Sequence, residues 1–145
     1  MKPGLPRKQK GAAAIEFAAV FVIFLAVFYG LVSYSVPLLM MQSFHQATAE
    51  ALRRAVMVDP STPNYATTVQ NLANSVVQAQ TAWIPPPFNF AATDYNSVYA
   101  NGVLTVTVNY STDKLNQVMP RVVLPVIGPV PNLPATLTVQ SSLQF

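Results

Sequence analysis

The fold of this chain is decided near its N-terminus, where residues 11–41 read GAAAIEFAAVFVIFLAVFYGLVSYSVPLLMM. From Phe17 to Met41 the stretch carries no formal charge. About 20 apolar residues, each rising about 1.5 Å, are enough to cross the hydrocarbon core of a bilayer. Residues 12–41 are therefore predicted to form a transmembrane helix. Pro37 lies inside it and is predicted to kink or tilt it, because proline removes one helical hydrogen bond.

Net basic charge is confined to the first ten residues. Lys2, Arg7, Lys8 and Lys10 stand there without an acidic residue, whereas the rest of the chain has four basic residues against five acidic ones. A nucleic-acid-binding protein needs basic charge across its folded surface, so nucleic acid is not expected as a partner. The positive-inside rule instead predicts that residues 1–11 are a basic leader in the cytoplasm and that the rest is translocated.

Side chains typical of catalytic and metal sites are scarce. The chain has no cysteine, which excludes disulfides, zinc–thiolate sites and cysteine nucleophiles. His45 is the only histidine and has no carboxylate at ligand spacing, so it is read as a solvent-facing helix residue. Asp59, Asp94 and Asp113 each neighbour turn-type residues, which favours caps and turns. We therefore expect no enzyme, no cofactor and no metal site.

An amphipathic pattern predicts that the helix continues beyond the membrane, over residues 42–58. Its apolar residues recur at helical spacing; they are Phe44, Ala47, Ala51, Leu52, Ala55 and Val56. Asp59 and Pro60 are the predicted stop signal. A single rod over residues 12–58 would be roughly 70 Å long.

Residues 59–145 are predicted to form a small extracytoplasmic α+β domain. Thr62 and Pro63 resemble a capped helix start, and the prolines at 85–87 end this second helix. Its apolar face is predicted to contain Tyr65, Val69, Leu72, Val76 and Trp83.

The rest of the domain has strand and turn signals. Residues 88–97 are predicted to be loop, and Asn101-Gly102 predicts a hairpin turn that joins a strand at 97–100 to one ending near Tyr110. Residues 114–134 hold five prolines and predict a loop or a short helical turn. Residues 136–145 alternate between apolar and polar, as in a half-buried strand. The fold class is thus α+β: a long transmembrane helix that continues into a domain with a second helix and a small antiparallel sheet.

A candidate processing motif lies where the leader meets the apolar run, in the string RKQKGAAAIEF at residues 7–17. Gly11 and its small neighbours would let the backbone extend into the active site of a membrane peptidase. Glu16 is the fifth residue after the Gly11–Ala12 bond, and an acid one turn into a span is a functional hypothesis by default. After cleavage, the new α-amino group of Ala12 could pair with such a carboxylate on a neighbouring subunit.

This motif resembles the prepilin processing site of the tight-adherence (Flp, type IVb) pilus systems. Gly11 matches the residue before the cut, Glu16 the acid and Phe17 the aromatic residue after it. The whole arrangement is similar to TadE-like minor pilins, or pseudopilins, specifically over residues 7–56 and only generally over 57–145. The resemblance implies cleavage between Gly11 and Ala12, and roles for Glu16 and Phe17 in N-terminal amine pairing and assembly.

The same resemblance implies the partners and the location. The partners would be a prepilin peptidase, other pilin or pseudopilin subunits, the inner-membrane pilus assembly machinery and membrane lipid. The chain would cross the bacterial inner membrane once, with its N-terminus cytoplasmic and its C-terminal domain periplasmic or extracellular, or it would enter the pilus. It would contribute to assembly of a pilus used in adhesion.

Two other readings remain open at this stage. Glu16 could lie at the lipid headgroup level of a plain signal-anchored protein whose outer domain binds an unknown partner. Ser33 and Ser35 could instead mark an ordinary signal-peptidase site, with cleavage after Ser35 and release of a soluble domain.

Overall fold

The computed structural model describes residues 7–124 and 128–144, with side chains from residue 11 onward. Helix α1 spans Arg7–Ala55 and contains 49 residues, which corresponds to about 73 Å. The single continuous rod predicted from the sequence is confirmed, but its ends differ. The backbone is helical from Arg7 rather than from residue 12, and the helix ends three residues before residue 58. Pro37 lies inside α1 without ending it.

Within residues 7–124 and 128–144, a second helix, a short third helix and five strands follow α1. Their bounds are α2 Tyr65–Thr81, β1 Tyr95–Ala100, β2 Val103–Ser111, α3 Thr112–Val118, β3 Val122–Leu124, β4 Gly128–Val130 and β5 Thr136–Gln144. Two 3₁₀ turns, Pro86–Phe88 and Ala92–Asp94, lie between α2 and β1. The α+β class predicted from the sequence is confirmed.

The main sheet is antiparallel, with strand order β1-β2-β5. Asn101 and Gly102 form the predicted two-residue turn, and both have positive φ angles, 52° and 76°, as a hairpin turn of this kind requires. Strand β5 pairs along the whole of β2. The C-terminal strand is therefore part of the fold, as its alternating pattern predicts.

The predicted start of the second helix was wrong by two residues. Helix α2 begins at Tyr65, after Asn64 in the left-handed conformation with no side-chain cap. The chain ahead of it forms a turn in which the Asp59 carboxylate accepts hydrogen bonds from the backbone N–H and the hydroxyl of Ser61, at 2.8 and 2.7 Å. These bonds stabilise the turn around Asp59, and the Thr62 hydroxyl is not the helix cap.

Three further local predictions needed correction. Trp83 lies beyond the end of α2 rather than on its buried face, and it is 50% exposed. Strand β1 starts at Tyr95, inside the predicted loop 88–97. Residues 114–134 contain the predicted helical turn as part of α3, but also the β3–β4 hairpin, which the many prolines concealed.

The core forms where α2 and the main sheet cover one stripe of α1. From the amphipathic pattern, Phe44, Ala47, Ala51, Leu52 and Ala55 are buried as predicted. Val56 is half exposed because the helix ends at the preceding residue, so its helical phase no longer applies. The sheet contributes its inward face, made by Leu104, Val106, Val108, Tyr110, Leu137 and Val139.

A partly buried ion pair ties α3 to the turns before β1. The ammonium of Lys114 lies 2.7 Å from an Asp94 carboxylate oxygen and donates a hydrogen bond to the carbonyl of Asn89. The other Asp94 oxygen accepts from the backbone N–H of Ala91. Nearby, the Tyr110 hydroxyl donates to the Phe88 carbonyl at 2.7 Å. Burial, reinforced by the negative charge of Asp94, raises the pKa of Tyr110 to about 12.

Candidate membrane and assembly segment of α1

The lower part of α1 is apolar on every face and covered by nothing in the described chain. From Gly11 to Phe28 every residue is exposed except Ala26, which is half buried. The helix is long and apolar enough to cross a membrane, by length and composition. Large aromatic side chains stack along it, as in the pair Phe24 and Phe28 with ring centroids 6.1 Å apart. Such a surface requires an apolar environment, which a bilayer or packed neighbouring helices would supply.

The residues of the candidate processing motif lie in one helical stretch of this segment. Gly11 is helical, and a methyl group added to it would meet nothing within 4 Å. Glu16 is exposed and has no hydrogen-bond or ion-pair partner among the described side chains. Phe17 is 69% exposed and stacks on Phe21 one turn later. The motif is therefore accessible to an enzyme or another subunit.

The outer domain begins to cover α1 well inside the apolar run. The Tyr29 hydroxyl donates a hydrogen bond to the Pro120 carbonyl, and the Tyr34 hydroxyl accepts one from the backbone N–H of Asn132 at 2.8 Å. Ser33 is already buried. Residues 29–41 thus belong both to the apolar run and to the packing surface of the domain, an overlap that periodicity did not reveal.

Near the upper end of α1, neighbouring charges strongly shift the pKa of one carboxylate. The Glu50 carboxylate accepts hydrogen bonds from Arg53 at 2.7 and 2.8 Å and from Arg54 at 2.7 Å. These two guanidinium groups lower the pKa of Glu50 to about 2. Two cations in the last turn also suit the negative end of the helix dipole. The two arginines are exposed and the Glu50 side chain is half-buried, and the cluster stabilises the helix terminus.

No metal-binding cluster of His, Asp and Glu occurs in the part of the chain that the structure describes. His45 is exposed on α1, away from the buried stripe. An apolar groove of about 240 Å³ lies between α1 and the segment before β5, with Tyr34, Pro37 and Leu133 among its lining residues. It offers shape and apolar contact, and apart from the Tyr34 phenol its lining residues carry no ionisable group.

Comparison with known proteins identifies the segment that carries the motif. The family described as TadE-like protein matches residues 11–53, under a third of the chain. No curated protein and no solved structure gives a match. The match begins at Gly11, includes Glu16 and Phe17, and ends two residues before α1 does. Residues 11–53, called the TadE-like segment below, are therefore similar to this family, which is consistent with a TadE-like protein of the Tad pilus system.

Proposed function

We propose that this chain is a minor pilin or pseudopilin of a Tad-type pilus, with a role in pilus assembly and so in adhesion. A prepilin peptidase would cut between Gly11 and Ala12. The mature chain would be held in the inner membrane by α1 and would present residues 59–145 on the outer side. The observation that carries the proposal is the placement of the glycine-to-glutamate motif at the start of an exposed apolar helix within the TadE-like segment.

The geometry of the motif supports recognition by a peptidase. A protease binds its substrate in an extended form, so the helix around Gly11 would have to open locally. Glycine favours such opening, since it stabilises a helix by about 1 kcal/mol less than alanine does. The surrounding side chains from residue 11 to 25 are all exposed, so local opening of the helix around Gly11 would disturb little buried surface.

The position of Glu16 supports a role in assembly. Its carboxylate stands on an otherwise apolar, exposed helix face, and an unpaired carboxylate at membrane depth is costly. The α-amino group of Ala12 on a neighbouring mature subunit would offset that cost by pairing with it. Phe17, next to Glu16, would supply apolar contact between the same two helices.

The first experiment is N-terminal sequencing of the protein recovered from membranes, with and without the prepilin peptidase. The proposal expects a mature start at Ala12 that depends on this enzyme. An intact Met1 would favour a plain signal-anchored protein, and a start at Val36 would favour a secreted domain. Cleavage after Ser35 would also remove the contacts that Tyr29 and Tyr34 make with the outer domain.

The matched variants are Gly11→Ala and Gly30→Ala. Neither added methyl group meets an atom within 4 Å, and both raise helix propensity equally, so only the position differs. Gly11→Ala should block processing, whereas Gly30→Ala should be processed normally.

A second pair, Glu16→Ala and Glu50→Ala, removes one carboxylate from each end of α1. The first should impair pilus assembly with processing retained, and the second should leave assembly intact. Normal piliation with both Gly11→Ala and Glu16→Ala would refute the proposal.

A further inference from the structure

We infer that the β3–β4 end of the outer domain rests in the lipid interface of the bilayer that α1 crosses, on the outer side. The inference rests on the proposed function in one respect: it requires α1 to span the membrane. It adds a second membrane contact, made by Val122 and Val123 beside Arg121, in a part of the chain outside the TadE-like segment.

The first step is the depth at which the outer domain meets α1. The uncovered stretch from Gly11 to Phe28 is 18 residues long, which corresponds to about 27 Å of helix. The hydrocarbon core of a bilayer is about 30 Å thick. A membrane that starts at Gly11 must therefore extend to the level of Tyr29, where Pro120 already contacts the helix.

The second step concerns the two tyrosines that attach this end of the domain to α1. Tyr29 bonds to the Pro120 carbonyl and Tyr34 to the Asn132 N–H, so both flanks of the β3–β4 hairpin are attached at this depth. Tyrosine is enriched at the boundary between hydrocarbon and headgroups, because its ring is apolar and its hydroxyl polar. The attachment points therefore lie where an interface is expected.

The third step is the surface of the hairpin. Val123 is 74% exposed and Val122 39% exposed, although β-branched apolar side chains are usually covered. No charged residue occurs after Arg121 in the chain. The guanidinium of Arg121 is partly exposed and donates a hydrogen bond to the Asn116 side chain at 3.1 Å. Exposed valine side chains on β3 next to a cation suit acyl chains below and anionic headgroups above.

The test uses the absence of cysteine in the chain. Full-length Val123→Cys carries an environment-sensitive fluorophore and is reconstituted in phosphatidylethanolamine–phosphatidylglycerol vesicles that contain lipids with a quencher on the acyl chain. Phe24→Cys reports whether α1 spans the bilayer. Met57→Cys is the matched control, because Met57 is 79% exposed and follows the far end of α1, about 39 Å along the helix from Tyr29.

The inference expects several-fold stronger quenching at position 123 than at position 57, with strong quenching at position 24. Quenching at 24 with position 123 equal to position 57 would overturn the inference while leaving the membrane anchor intact. If labelled Val123→Cys escapes quenching and the unlabelled variant, whose thiol is free, forms disulfides between copies on oxidation, the inference is overturned in favour of a contact between subunits. Loss of quenching at 24 would overturn the anchor and, with it, this inference.

Discussion

The lower part of α1, residues 11–28, and its upper part, residues 40–55, belong to one unbroken helix but have different surroundings. The lower part presents large apolar side chains on all faces, and every residue of it except Ala26 is exposed. The upper part has an apolar stripe on one face, and α2 and the main sheet bury it. The distribution of apolar residues around the helix, more than their total, therefore indicates what covers each part.

The largest difference in stability is expected between two phenylalanine-to-alanine substitutions, one in the upper part of α1 and one in the lower part. Phe44 is fully buried and stacks on Phe90 with ring centroids 5.4 Å apart, so Phe44→Ala should lower the free energy of unfolding of the outer domain by about 3–5 kcal/mol. Phe24→Ala, on the exposed half, should change it by less than about 0.5 kcal/mol. Urea denaturation in detergent micelles, followed by fluorescence of Trp83, measures both.

Trp83 is a suitable reporter because it is the only tryptophan in the chain and its indole N–H donates to the Ser43 hydroxyl on α1 at 2.8 Å. Equal losses from the two substitutions would contradict the division of α1 into a covered and an uncovered part.

A smaller loss of stability is expected when the Lys114–Asp94 ion pair is broken. This pair lies close in sequence to Phe90, the residue that packs on Phe44 of α1. Asp94→Ala would leave the Ala91 N–H without its acceptor and the Lys114 ammonium without its counter-ion, although Lys114 keeps its hydrogen bond to the Asn89 carbonyl. The expected cost is about 2–4 kcal/mol, since removing one member of a partly buried ion pair leaves the other charge desolvated and unpaired. The control is Asp113→Ala, because the Asp113 side chain is 87% exposed and lies 4.0 Å from Arg121. The control should cost less than about 0.5 kcal/mol. The same denaturation curves would contradict this prediction if the two variants were equally stable.

The smallest effect concerns pH. The pKa of Tyr110 is raised to about 12 in the folded chain, against about 10 in an unfolded one. A raised pKa means that the neutral phenol is favoured by folding, so its contribution to stability is complete below pH 10. That contribution is lost as the pH rises from about 10 towards 12.

Tyr110→Phe should therefore weaken the domain by about 1 kcal/mol at neutral pH, through loss of the bond to the Phe88 carbonyl, and should flatten the alkaline fall in stability. Melting temperature measured from pH 8 to pH 12 checks this. An identical alkaline fall in the variant would assign it to other groups.

Prediction from the sequence succeeded where one local pattern determined the outcome. The apolar run, the alternating residues of β5 and the Asn101-Gly102 turn each encode their structure within a few residues. It failed at the start of α2, where the turn held by Asp59 displaced the apparent cap, and at Trp83, whose helical phase ended two residues earlier. These errors arise because boundaries depend on competition between neighbouring segments.

The candidate functional residues also fall into a group that the sequence could identify and a group that it could not. Gly11, Glu16 and Phe17 could be selected from spacing and charge alone, because a carboxylate in an apolar run is conspicuous in any fold. Their roles in cleavage and assembly stay predictions until the variants are tested. The β3–β4 hairpin could not be selected, since its prolines and short strands resemble an irregular loop.

By itself, the sequence determined that this chain has a long apolar helix preceded by a cationic N-terminal segment and followed by a small α+β domain without cysteine chemistry. Local hydrophobicity, charge and turn propensity are sufficient for that. Only the tertiary structure decided that the outer domain contacts α1 as far towards its N-terminus as Tyr29, with Pro120 and Asn132 against the helix. Such contacts join residues about 90 or more positions apart, and they depend on how α2 and the sheet pack together on the stripe of α1, which no local pattern encodes.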